Sequence, residues 1–168
     1  MKKQEEITPV PHEEEFELTL AGVPAHPIKM VRSDGYCDAN SWKFKGPKVG
    51  SMESRWFRIV RIGHQPNVKA VNRVLAKYGT PARGQWREAY KTSQQYPGHN
   101  IEGLMIGFTG SIWLDAEHHH AFPCVLGRDS ELHSFFAWVN RDFGDEWSFV
   151  VEVKKQGKWR FWNLIRPS

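Results

Sequence analysis

The sequence predicts an α+β fold: a single domain with a mostly antiparallel sheet, an inserted αα-hairpin and one further helix before a C-terminal β-hairpin. Three patterns lead there. Alternating apolar and polar residues recur in separate segments, and the middle of the chain switches to helical spacing. Residues 147–168 form two β-branched and aromatic runs around Lys155, Gln156 and Gly157, a loop of hairpin type. A chain of 168 residues is most simply one domain.

Residues 1–14 are acidic, carry Pro9 and Pro11 and lack apolar periodicity, so they read as a mobile arm ahead of a domain spanning 15–168. Phe16, Leu18 and Leu20 alternate with polar residues as a half-buried strand does, and a second strand is expected around Ile28 to Arg32. Residues 33–50 read as loop with a short alternating island from Trp42 to Lys45, followed by a strand from Arg55 to Ile62.

Pro66 suits a first helical turn, and Val68, Val71, Leu75 and Tyr78 recur at helical spacing before the stop at Gly79, Thr80 and Pro81. Thr80 is expected to cap a second helix running to about Tyr96, close behind the first. Residues 102–108 and 112–119 should then pair through Thr109, Gly110 and Ser111, with Trp113 across from Gly107. Asp129 or Ser130 should cap a third helix that turns Leu132, Phe135, Phe136 and Val139 inward. In the closing hairpin Val151 faces Phe161 and Trp147 faces Ile165, which puts Lys158, Arg160, Trp162 and Arg166 on its outer face.

The net charge of +4 hides a segregation. Residues 54–101 hold nine bases and one acid, residues 102–152 hold nine acids and two bases, and residues 153–168 hold five bases and no acid. A basic side of this kind is what a polyanion binds. The N-terminal residues hold no apolar signal core and no run reaches the length of a membrane span, while two cysteines make no disulfide framework. The expectation is a cytoplasmic protein with no membrane contact.

Three constellations carry chemistry. Lys69, Arg73 and Lys77 recur every four residues on one helix, as Arg83, Arg87 and Lys91 do on the next, predicting paired basic stripes. Aromatics alternate with cations at Trp42, Lys43 and Lys45 and at Lys158, Arg160, Trp162 and Arg166, the mixture that phosphate and base stacking require. The eight Trp, ten Phe and four Tyr suit such a surface and a core equally. Asp115, Glu117, His119 and His133 form an alternative set of ligands for a divalent metal ion. A histidine on a strand followed by a helix bearing His133 and Asn140 resembles the ββα-metal nuclease arrangement, although the loop asparagine of that arrangement is missing.

No motif fixes a reaction, and the phosphate-cradling glycine loops of nucleotide enzymes are absent from the sequence. The leading expectation is a non-enzymatic nucleic-acid-binding module without a cofactor, free or as a subunit of a nucleoprotein assembly. DNA and RNA are not distinguished, and the acidic segment 102–152 would meet a protein partner. The alternatives are a small metal-dependent hydrolase using the histidine cluster, and a protein-only adaptor or inhibitor of a nucleic-acid enzyme.

Overall fold

A computed structural model describes residues 10–11, 15–20, 26–50, 53–93, 103, 105–129 and 131–154. In chain order the elements are β1 (Val10–Pro11), β2 (Phe16–Thr19), α1 (Pro27–Ser33), β3 (Lys43–Lys45), β4 (Ser54–Arg61), α2 (Val68–Leu75) and β5 (Thr80–Pro81). There follow α3 (Trp86–Thr92), β6 (Met105–Gly107), β7 (Ile112–Leu114), β8 (His120–Arg128), β9 (Glu131–Trp138) and β10 (Trp147–Val153). The strands make one mostly antiparallel sheet, which confirms the single α+β domain. No helix among the described residues is long and apolar enough to cross a membrane.

β10 lies at the centre. One of its edges pairs antiparallel with β4, and the other pairs parallel with β6 and then antiparallel with β5. Its side chains alternate between two covered faces. Trp147, Phe149 and Val151 pack in one cluster with Val68, Val71 and Leu75 of α2, while Val150 packs in another with Trp86, Ala89 and Tyr90 of α3. A strand buried on both faces is largely apolar, and all five residues from Trp147 to Val151 are buried, with Ser148 the one polar residue among them.

The two expected helices therefore exist but do not form an αα-hairpin. Thr80 is not a helix cap: it enters β5, which adds to β10 and carries the chain from one face of the sheet to the other. Gly79 permits this passage, since a Cβ there would lie 2.5 Å from the carbonyl oxygen of Glu152.

Three further expectations change. Residues 27–33 are helix rather than strand: Pro27 opens it, the His26 ring accepts the Ile28 N–H, and Pro27, Met30 and Val31 share the buried side. β6 and β7 do not pair with each other. Both lie along the same edge of β8, Ile106 opposite Val125 and Trp113 opposite Ala121, because β9 fills the other edge.

The expected third helix is β9. Arg128 pairs with Glu131, so Asp129 stands in a two-residue hairpin turn with φ of 53°, a left-handed conformation that Asp tolerates. Phe135 and Phe136 enter different clusters on opposite faces of the strand, which also removes the helix required by the ββα-metal resemblance. Finally, the described partners of β10 are β4, β6 and β5, and the strand expected to pair with it at residues 159–165 lies outside the described residues. Residues 155–168, with Lys158, Arg160, Trp162 and Arg166, lie outside the described residues.

Candidate nucleic-acid interface

α2 begins at Asn67, whose side-chain oxygen accepts the Ala70 N–H at 2.9 Å. Its buried seam of Val68, Val71 and Leu75 fixes the helix rotation and leaves Lys69 and Arg73 exposed; Lys77 is exposed in the turn just after the helix. No described carboxylate forms an ion pair with any of the three. Three cations in a row without a counter-charge raise the local positive potential, and nothing in the packing requires them.

The second expected stripe has a different role. Arg83 makes a two-pronged contact with Glu152 at 2.8 and 3.2 Å and lies 3.6 Å from Glu53. The hydrogen bonds that Arg83 donates to Glu152 raise its pKa against the opposing effect of burial. Arg87 is fully buried: its guanidinium meets both oxygens of Asp34 at 2.5 and 2.8 Å, Glu88 at 2.7 Å and the carbonyl of Phe135 at 3.2 Å, and sits over the Phe136 ring. Burial raises the Asp34 carboxyl, outweighing the opposite pull of Arg87. Neither arginine is a free surface cation, which corrects the expectation of a second stripe; Lys91 likewise lies 3.8 Å from Glu88.

Trp42 is also removed from the surface. It is 5% exposed, packs on Tyr36 and Phe136, and donates its indole N–H to Asp38 at 3.0 Å. Lys43 and Lys45 do remain exposed, on the same face of β3, because Phe44 between them turns inward onto Trp113.

Lys45 stands on the rim of a cleft of about 570 Å³ at the fork where β3 and β7 part from β5 and β10. Asn72 of α2 and Thr80 of β5 line one side, with Thr109, Ser111 and His120 also on its wall. The wall is tightly fixed. The Thr109 hydroxyl donates to Asn72 at 2.5 Å, the Asn72 amide donates back to the Thr109 carbonyl, and Ser111 accepts the Gly84 N–H at 2.6 Å. Gly110 donates to the Ala82 carbonyl at 2.7 Å and approaches Pro81 so closely that no Cβ fits there. Apart from Lys45, sequence reasoning missed these residues. They come from five segments, and their one local signal, Thr-Gly-Ser at 109–111, reads equally well as a hairpin turn.

The histidine cluster separates. Asp115 accepts the backbone N–H groups of Glu117 and His119 at 2.9 and 2.7 Å and faces the His119 ring at 3.1 Å. Burial acts to raise its pKa, but the bonds from His119 and Glu117 outweigh that and lower it. Glu117 lies 3.8 Å from the same ring. His133 is opposite Leu126, six residues along β8 from His120, or roughly 20 Å at the rise of a strand. The four expected ligands do not converge, and among the described residues no three His, Cys, Asp or Glu side chains are grouped to hold a metal ion. No described hydroxyl or thiol is bonded to His119, so the Asp115–His119 pair lacks a nucleophile to activate. Cys124 is buried, and burial raises its thiol pKa well above the ordinary value, which keeps it inert.

Comparison with known proteins returns no match: no family model fits the chain, and no curated protein or solved structure is significantly similar to it.

Proposed function

We propose that this protein is a cytoplasmic, non-enzymatic nucleic-acid-binding module, free or as a subunit of a nucleoprotein assembly. The observation that supports this best is the exposed set of Lys69, Arg73 and Lys77, unpaired with any described carboxylate. Phosphates would be neutralised by that row together with Lys43 and Lys45, releasing counterions. The exposed carboxylates of the 102–152 segment, Glu117 and Glu146 among them, would face a protein partner rather than the polyanion.

A salt titration of oligonucleotide binding tests the reading. Affinity should fall steeply with salt, and Arg73→Glu with Lys77→Glu should weaken binding and reduce the slope of log K against log salt by about 2. Binding that ignores salt, or that survives both charge reversals unchanged, would sink it.

A further inference from the structure

We infer that the cleft beside α2 receives one unstacked nucleotide, so that the preferred polymer is single-stranded. The inference rests on the nucleic-acid reading above and adds strandedness to it. Asn72 joins the two features, because it lines the cleft and sits on the helix that carries the cationic row. At 100° per residue Lys69 lies about 60° and Arg73 about 100° round the helix from Asn72, both away from the buried seam. A phosphate chain following Lys69 and Arg73 would pass Asn72 and, with it, the cleft.

The lining has the chemistry of a nucleotide site. No carboxylate contributes to it; Lys45 supplies a cation and the exposed Thr80 a hydroxyl, while Asn72 and the buried Ser111 are already bonded within the wall. Pro81 and Ile112 give apolar surface for a sugar or base, and the exposed ring of His120 offers a flat face. A volume of about 570 Å³ falls within the range of about 300–1,000 Å³ usual for small-molecule sites. The wall is held before any ligand arrives, through the Thr109–Asn72 and Gly84–Ser111 bonds, so little ordering is left for binding to supply. A base inside a duplex reaches such a cleft only by leaving its stack, whereas a single strand presents bases already free to turn in.

The test compares a fluorescein-labelled oligodeoxynucleotide, alone and annealed to its complement, by anisotropy. The wild-type protein should favour the single strand by about tenfold or more. Thr80→Trp, at an exposed position on the rim, should abolish that preference while leaving the salt slope intact, and Ile112→Trp carries the same test should the first variant fail to fold. Arg73→Glu with Lys77→Glu should weaken both polymers together. Equal affinity of the wild type for both polymers, or a preference that survives both filled clefts, overturns the cleft inference and leaves the reading of α2 standing. Absence of binding to either polymer overturns both.

Discussion

Arg87 and Asp34 form a two-pronged ion pair, at 2.5 and 2.8 Å, in which both side chains are sealed from solvent. The pair ties α3 to the residue that ends α1, and the same guanidinium reaches the Phe135 carbonyl of β9. Removing Asp34 takes the two-pronged partner from a guanidinium sealed from solvent, leaving it only Glu88 and the Phe135 carbonyl. Asp34→Ala should therefore cost about 3–5 kcal/mol, while Arg87→Met combined with Asp34→Leu should cost less than the single change. Urea denaturation of the three variants checks the order, and a double variant less stable than Asp34→Ala would refute it.

The cations of the middle segment should divide by role. Lys69, Arg73 and Lys77 hold no described partner, so replacing each by Ala should change stability by no more than about 0.5 kcal/mol. Arg83→Ala breaks charged hydrogen bonds to a largely buried Glu152 and should cost about 1.5–3 kcal/mol. Thermal melts of the four variants read the difference directly. Equal losses at all four positions would mean that the α2 cations are structural after all.

That division marks what the sequence could carry. The period of four at Lys69, Arg73 and Lys77 was legible because α2 buries one side only, and Val68, Val71 and Leu75 announce it. Arg83 and Arg87 have the same period, but Glu152 and Asp34, which hold them two-pronged, stand 69 and 53 residues away, and no local pattern reports a partner at that distance. The strand β9 was illegible for a related reason. With both faces covered, Leu132, Phe135 and Phe136 show no alternation, and their spacing imitates a helix. The cleft could not be read at all, since it exists only where the sheet forks.

Stability should depend on Asp115 in the acid range. Its folded pKa is lowered, because the bonds from His119 and Glu117 favour the carboxylate more than burial opposes it. A carboxyl of that kind adds stability above its unfolded pKa of about 3.9, and the contribution is lost as pH falls through the folded value. Asp115→Asn keeps an acceptor for the two backbone N–H groups and removes the titration. The wild type should be the more stable of the two at neutral pH, and the gap should close in acid. Denaturation curves at both conditions decide it, and a gap that widens on acidification would contradict the assignment.

Thr109 and Asn72 connect the stability of the molecule to the shape of its cleft. The Thr109 hydroxyl donates to Asn72, and the Asn72 amide returns a bond of 3.3 Å to the Thr109 carbonyl, which fixes α2 against the loop between β6 and β7. Thr109→Val keeps the volume and removes the donor, leaving the half-buried Asn72 oxygen without it. The expected loss is about 1–3 kcal/mol, the usual penalty for an orphaned acceptor. Asn72 is then free to leave its place on the wall, so the preference for a single strand should shrink while Lys69, Arg73 and Lys77 keep the salt slope unchanged. A lower melting point with an intact strand preference would show that the pair holds the fold but does not shape the cleft. Loss of the salt slope as well would show that α2 itself had moved.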